Sequence, residues 1–205
     1  MSQVELVGRS SSHFTRTARI FALELGVPFT FRPVLDMTTL DANAYGDNPA
    51  LKVPVLVDEH GPLFGTENIC RALIRRSGKT DRMVMRGDVS DRAVANVEEM
   101  TLHVMTSEVS LIMAKMAGDV RLAPPKVSRS IENALRYLDE HVDAALAALP
   151  ADRALSFLEV SLFCVVMHLP FREVMNVTPW TRLSDFCQRF GERESARATT
   201  YRFDV

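Results

Sequence analysis

The chain has 205 residues, of which 47% are hydrophobic and 24% are charged, and its formal net charge is -2. These values are typical of a globular protein with one large domain or two small ones. A charge near zero without a long Lys/Arg block does not predict binding to nucleic acid or to a membrane surface. The longest apolar run, at residues 162–167, is too short to span a bilayer.

The first residues lack the basic stretch and the apolar run of an export signal, which predicts a cytoplasmic protein. Cys70, Cys164 and Cys187 are odd in number, widely spaced and surrounded by apolar residues at helical spacing. They predict three packed thiols and no dithiol redox pair. No cluster of His, Cys and Asp has the spacing of metal ligands, so we expect no metal.

Strands and helices alternate in the first part of the chain. Gly26 is expected to end the first helix, and Thr66 to cap the second. Pro33 places its strand at a sheet edge, and the short turn at residues 59–62 requires antiparallel neighbours. The predicted strands are 4–7, 28–34, 53–58 and 63–64, and the predicted helices are 14–25 and 66–77, with a short irregular helix within 38–46.

Residues 79–88 are mostly polar and predict an exposed connection, after which every segment has helical period. Ser156 and Glu159 form a predicted capping box, and the helix that follows is apolar all round, which indicates the centre of a helical core. Thr178 and Pro179 predict the start of the last long helix. The predicted helices are about 97–116, 127–149, 156–169 and 179–191.

Three segments of the first part carry candidate binding groups. They are residues 12–16 at a helix start, the Lys-Val-Pro-Val-Leu run at 52–56, and Gly-Thr-Glu-Asn at 65–68. A serine at a helix N-terminus, a Val-Pro turn and an acidic-amide pair can together hold a short anionic peptide. Each group also has a simpler interpretation. The serine can be an ordinary N-cap, the proline a trans turn proline, the lysine a solvated surface charge, and the glutamate a charge that is favourable beside the helix dipole.

In order and spacing, these segments resemble the cytosolic glutathione transferases over nearly the whole chain. Residues 12–20 look like the catalytic segment of serine-type classes, with Ser12 where omega-like members keep a cysteine. Residues 48–56 resemble the turn with a cis proline, and residues 180–199 resemble the closing helix and tail. The departures are Asn68 for serine, Leu51 for glycine, Glu159 for aspartate and His13 for proline.

The resemblance implies a two-domain protein, α/β followed by all-α. Residues 1–78 would form a thioredoxin-like domain with a mixed four-stranded sheet, residues 79–88 a linker, and residues 89–205 a helical bundle. Glutathione would be the co-substrate, bound to the first domain, and the protein would be a homodimer. The implied activity is conjugation of the glutathione thiolate to a small apolar electrophile, the chemistry of detoxification.

The resemblance also implies a role for each candidate residue. Ser12 would be catalytic, with Ser10 and Ser11 as alternatives. A charge-assisted hydrogen bond of roughly 1.5–3 kcal/mol and a helix-terminus effect of roughly 0.3–1 kcal/mol would lower the thiol pKa by about one to three units. The remaining residues would bind glutathione: Lys52 its glycyl carboxylate, Val53 beside Pro54 its cysteinyl backbone, Glu67 its amino group and Asn68 its first carboxylate.

Two other functions stay open. A glutathione-dependent isomerase or dehalogenase would use the same thiolate on another acceptor, and a non-catalytic binding module would keep the fold alone.

The methionines at helical spacing are expected in the core or a dimer contact more than in a pocket for an electrophile. His103 and His168 are expected to be packed or surface side chains. The methionines in question are Met100, Met105, Met113 and Met116.

Overall fold

A computed structural model describes residues 4–80 and 82–205. Residues 1–3, part of the segment compared with export signals, and Asp81 in the predicted linker lie outside the described residues. The chain divides into two compact units, residues 1–83 with 193–205, and residues 84–192. The first unit thus includes a C-terminal segment that the sequence analysis placed in the helical domain, and the domain limits at 78 and 89 stay a prediction.

The first unit contains a mixed four-stranded sheet, which confirms the predicted thioredoxin-like arrangement. Its spatial order is β2-β1-β3-β4, in which β1 pairs parallel with β2 and antiparallel with β3, and β3 pairs antiparallel with β4. Pro33 lies on the edge strand β2, where the missing N–H costs no ladder hydrogen bond. The strands are β1 Val4–Gly8, β2 Phe29–Pro33, β3 Val55–Asp58 and β4 Gly61–Phe64.

Helices α1 (His13–Leu25) and α2 (Thr66–Ser77) pack against each other beside this sheet, and a 3₁₀ helix covers Ala42–Tyr45. Gly26 ends α1 in the left-handed conformation, as predicted. The prediction that Thr66 caps α2 is wrong, because Gly65 occupies the N-cap position with φ 87°. That backbone angle favours glycine, so the turn out of β4 falls on Gly65 and Thr66 becomes the first helical residue.

The second unit contains four long helices, α3 (Arg92–Ala117), α4 (Pro125–Ala148), α5 (Phe157–Phe171) and α6 (Thr181–Gly191). Helix α3 packs against α4 and α5, and α6 packs against α4 and α5. Most side chains of α5 are buried, which confirms its predicted central position. The short elements are β5 (Met83–Val84), which spans the boundary between the units, the 3₁₀ helix Val120–Leu122, β6 (Leu155–Ser156) and, in the first unit, α7 (Glu194–Ala198).

The capping box before α5 is confirmed. Ser156 Oγ accepts a hydrogen bond from the Glu159 backbone N–H at 3.1 Å, and Glu159 Oε2 accepts one from the Ser156 N–H at 2.9 Å. The start predicted for α6 is wrong by two residues. Asn176 Oδ1 accepts from the Thr178 N–H at 3.0 Å, so a polar turn occupies the predicted first helical positions and α6 begins at Thr181.

Two further outcomes concern burial. The three cysteines, all among the described residues, are buried thiols outside any disulfide, as predicted. The predicted exposed connection is wrong for Met83, Val84 and Met85, which are all buried. In the part of the chain that the structure describes, no helix combines the length and the apolar character needed to cross a bilayer.

Candidate functional site

The sheet register brings the three candidate segments to one end of the sheet. Val7 of β1 pairs with Val55 of β3, and Val55 pairs with Phe64 of β4, both in antiparallel register. The segments that follow β1, precede β3 and follow β4 therefore leave the sheet at the same end. These segments carry Ser12, residues 52–54 and residues 67–68, which lie far apart in the sequence.

Ser12 is the N-cap of α1. Its Oγ accepts a hydrogen bond from the Thr15 N–H at 3.2 Å, and its own N–H donates to the Arg9 carbonyl at 3.1 Å. Ser12 therefore performs the capping role expected of a serine at a helix start. A hydroxyl still has its proton and a second lone pair after accepting one bond. Ser12 can thus cap the helix and donate to an anion at the same time.

The three neighbouring serines differ in exposure. Ser10 and Ser11 are only 2% and 4% exposed, whereas Ser12 is half-buried. A ligand that arrives from solvent meets the Ser12 hydroxyl before either of the other two. The catalytic role of Ser12 stays a prediction, and the exposure of its side chain favours it over Ser10 and Ser11.

The segment before β3 is a tight loop held by Asn48. This buried side chain donates from Nδ2 to the Lys52 carbonyl at 2.8 Å and accepts at Oδ1 from the Ala50 N–H at 3.0 Å. The Val53–Pro54 peptide bond is cis, and Lys52 is exposed. Leu51 has φ 53°, a left-handed conformation that favours glycine, so the residue that departs from the resembled pattern adopts a glycine-like backbone.

The start of α2 presents the acidic-amide pair. Arg71 donates from Nη2 at 3.0 Å and from Nε at 3.2 Å to Oε1 of Glu67. Asn68 is exposed and its Nδ2 donates to the Phe64 carbonyl at 3.0 Å. Among the described residues, no side chain caps this helix, because Gly65 holds the N-cap position. The helix start therefore offers a partial positive charge beside two polar side chains.

Sequence reasoning missed two supporting residues. Asn48 gave a signal, since an Asn-Pro pair is typical of a turn, but its bond to Lys52 depends on the folded loop. Arg71 stands four residues after Glu67, the spacing at which helical side chains of opposite charge pair. Each of these residues holds a candidate binding residue in place.

Comparison with known proteins agrees with this geometry. Residues 6–81 match the family model "Glutathione S-transferase, N-terminal domain". No curated protein sequence matches the chain. The matched residues include most of β1, the other three strands of the sheet, both of its helices and every candidate site residue.

Solved structures of low sequence identity share the fold over both units. A glutathione S-transferase from Methylobacillus flagellatus KT with glutathione bound is 18% identical, with TM-score 0.76, covering 97% of this chain and 100% of that chain. One from Methylobacterium radiotolerans JCM 2831, in complex with glutathione sulfonate, is 20% identical, with TM-score 0.72, covering 99% and 97%. A family member from Pseudomonas fluorescens Pf-5 with bound S-(propanoic acid)-glutathione is 19% identical, with TM-score 0.72, covering 97% and 100%.

The fold neighbours and the family model indicate similarity to the same class of proteins by different routes. The model identifies the domain that carries the candidate site, and the solved structures share the architecture of the whole chain. Residues 6–81 are thus similar to the N-terminal domain of glutathione S-transferases, and the chain shares its fold with solved glutathione S-transferases.

Proposed function

We propose that this protein binds glutathione at the end of the sheet where the three loops meet, and conjugates its thiolate to a small apolar electrophile. The observation that carries the proposal is the register that places Ser12, Val53 and Glu67 on segments leaving one end of the sheet. Structural neighbours of this fold contain glutathione or a derivative, which supports the choice of ligand. The proposed step uses no metal.

The proposed contacts follow from the chemistry of each side chain. The Val53 backbone N–H and C=O pair with the cysteinyl part of glutathione like a short antiparallel strand, next to Pro54. Lys52, which is exposed, faces the glycyl carboxylate. Glu67, which is partly exposed, receives the amino group, and Asn68 and the start of α2 receive the remaining carboxylate.

Ser12 stabilises the thiolate in this proposal. A free thiol with a pKa around 8.5 is only a few per cent ionised near neutral pH. The hydroxyl donates to the sulfur while its oxygen continues to accept the Thr15 N–H. The bond and the helix terminus together lower the pKa by about one to three units, which makes the thiolate a large fraction at neutral pH.

The proposal extends to a cytoplasmic homodimer with a thioredoxin-like domain at residues 1–78 and a helical domain at 89–205. Sedimentation of the purified protein tests the dimer. A glutathione-dependent isomerase or dehalogenase would use the same thiolate, and profiling of aryl halides, haloalkanes and isomerisable enones distinguishes these activities.

Calorimetric titration with glutathione tests the binding site. We expect a dissociation constant between micromolar and low millimolar, corresponding to roughly -8 to -4 kcal/mol. Absence of heat at every workable concentration would favour the non-catalytic alternative. A conjugation assay with an aryl halide then tests turnover, and we expect Ser12→Ala to lower it by at least about tenfold, since a charge-assisted bond is worth more than 1.4 kcal/mol.

The matched control for Ser12→Ala is Asp91→Ala. Asp91 is the N-cap of α3, and its side chain accepts from the Val94 N–H at 3.0 Å. Both substitutions remove a helix cap, which costs about 1 kcal/mol of stability. Only Ser12→Ala should lower conjugation, so equal losses of activity in the two variants would show that Ser12 acts through stability alone.

A further inference from the structure

The C-terminal segment of the first unit, residues 193–205, runs along α1 from its end to its start. Near the end of α1, Glu24 accepts hydrogen bonds from Arg193 and Ser195. In the first turns, Arg16 contacts the segment at Ala196, Thr199 and Tyr201. Beyond them, Asp204 reaches the turn that precedes α1. We call residues 193–205 the C-terminal strap.

Arg16 anchors the middle of the C-terminal strap. Its side chain is only 5% exposed, and its Nη2 donates to the Ala196 carbonyl at 3.0 Å. Its Nε donates to Thr199 Oγ1 at 3.3 Å, and its guanidinium lies 4.3 Å from the centre of the Tyr201 ring. A planar guanidinium with several fixed donors holds such a segment in one orientation. The end of the strap is thereby carried to the loop before Ser12.

Asp204 contacts the turn that carries Ser12, whose hydroxyl is proposed to stabilise the thiolate. Its Oδ2 accepts a hydrogen bond from the Ser10 backbone N–H at 2.7 Å, across 194 positions of sequence. Ser10 is only 2% exposed, and it lies between Arg9, whose carbonyl accepts from the Ser12 N–H, and Ser12 itself. A short bond from an amide to a carboxylate is among the stronger hydrogen bonds in proteins.

The charges around Asp204 make a carboxylate at this position favourable. Arg19 lies on the face of α1 near the turn, with its Nη1 3.5 Å from Ser10 Oγ. Burial lowers the pKa of Arg19, as do Arg202 and Arg16, whereas Asp204 opposes the shift. The carboxylate therefore lies among arginines and lowers their mutual repulsion while it holds the Ser10 amide.

We infer that Asp204 is a positioning residue for the proposed reaction, because it fixes the turn from which Ser12 donates to the glutathione sulfur. The inference rests on the proposed function. Ser12 must keep its hydroxyl at hydrogen-bond distance from the sulfur, and a shift of about 1 Å costs up to about a hundredfold in rate. A carboxylate supplied from the other end of the chain makes the geometry of the turn depend on an ordered C-terminus.

The test compares Asp204→Ala, which removes the acceptor, with Asp204→Asn, which keeps an oxygen acceptor and removes the charge. The readouts are kcat and KM for glutathione, the pKa of the bound thiol from the pH–rate profile, and amide hydrogen exchange at residues 9–12 without ligand. We expect Asp204→Ala to lower kcat about tenfold, to raise the thiol pKa by about one unit and to speed exchange of the Ser10 amide.

Asp204→Asn should keep kcat within about threefold of the original chain, since an amide oxygen still accepts the Ser10 N–H. Asp143→Ala and Asp143→Asn are the controls, because Asp143 is an exposed carboxylate with a 3.9 Å ion pair in the helical unit. They should change neither the thiol pKa nor the exchange of the Ser10 amide. If Asp204→Ala does not fold, Asp204→Glu replaces it, because the longer side chain displaces the acceptor by one methylene. Its kcat should lie between that of the original chain and about one tenth of that value.

The outcomes separate the inference from the function on which it rests. Turnover in the original chain with unchanged kcat and thiol pKa in Asp204→Ala would overturn the positioning role alone. Faster unfolding of Asp204→Ala with an unchanged thiol pKa would show a structural role and also overturn it. Absence of glutathione binding and turnover in the original chain would overturn both, whatever the exchange of the Ser10 amide shows.

Discussion

Gly8, the last residue of β1, lies so close to Thr15 of α1 that a β-carbon on Gly8 would stand 2.4 Å from Thr15 Cγ2. Thr15 is fully buried, and its Oγ1 accepts from the Arg9 N–H at 3.3 Å. This close approach sets the distance between the strand and the helix start that Ser12 caps. The glycine is needed here for space, not for an unusual backbone angle.

Gly8→Ala should therefore destabilise the protein by about 1–3 kcal/mol, as expected for overpacking of a closed interior. Denaturant unfolding measures the change. Thr15→Ala removes both side-chain atoms nearest to the new methyl, so the double variant should lose less than the sum of the two single losses. Additive losses would show that the loss in Gly8→Ala does not come from contact with Thr15.

Asn48 should affect glutathione binding more than the chemical step. Asn48→Ala removes the two side-chain hydrogen bonds that Asn48 makes to the loop before Val53, and we expect KM for glutathione to rise about threefold to tenfold with a smaller change in kcat. Asn48→Asp keeps the acceptor for the Ala50 N–H, so its KM for glutathione should lie between those of the original chain and Asn48→Ala. A fall in kcat with KM unchanged would contradict the assignment of this loop to binding.

Glu108 and His168 form a buried pair inside the helical unit, with Oε1 and Nδ1 2.8 Å apart. Burial raises the pKa of the Glu108 carboxyl, although the hydrogen bond and charge of His168 oppose the shift. The folded state thus binds more protons than the unfolded state between the ordinary pKa and the raised one. The contribution of this group to stability is greatest below that window and falls as pH rises through it.

Glu108→Gln keeps a hydrogen-bond acceptor for His168 and removes the charge. We expect equal stability near pH 4 and a gain of about 1–3 kcal/mol near pH 7, because the original chain there either holds a desolvated carboxylate or binds a proton that the unfolded chain has released. Denaturant unfolding across pH measures this, and Glu132→Gln, a change at a more exposed glutamate paired with Arg129, is the control. Lower stability of Glu108→Gln near pH 7 would show that attraction to His168 exceeds the cost of burial.

Ser12→Cys should form a mixed disulfide with glutathione. A cysteine at a helix N-cap has a lowered pKa, and its thiolate attacks glutathione disulfide and releases one glutathione thiolate. Mass spectrometry detects the bound glutathionyl group. Ser11→Cys is the matched control, because Ser11 is only 4% exposed and should react far more slowly. Equal reactivity of the two cysteines would contradict the proposed position of the sulfur.

Local sequence signals predicted most of the fold because its boundaries depend on local chemistry. Ser12, Gly26 and the Ser156–Glu159 box set helix ends through their own side chains or backbone freedom, and the structure confirms them. The start of α6 failed because a polar turn at Asn176 competes with the proline signal. The prediction that Thr66 caps α2 is wrong because Gly65, which has the backbone freedom for a positive φ, takes the N-cap position.

The candidate site was less accessible to sequence reasoning, because its supports are long-range. Local patterns indicate the segments that carry residues 12, 53 and 67, and the resemblance implies their roles, but their common location depends on strand pairing. Asp204 gave no signal, since its bond to Ser10 joins opposite ends of the chain. Leu51 stands where the resembled pattern has glycine, and its positive φ shows that the backbone kept the shape that the side chain disfavours.

The most direct test is a pH titration of the glutathione bound to the protein, in the original chain and in Ser12→Gly. The ultraviolet absorbance of the thiolate is the readout. Glycine is a good N-cap, so this variant removes the hydroxyl at a cost of only a few tenths of a kcal/mol. We expect the bound thiol to ionise about one to three pKa units below the free value of about 8.5 in the original chain, and close to that value in Ser12→Gly. The same pKa in both proteins would contradict the proposal that the Ser12 hydroxyl stabilises the thiolate.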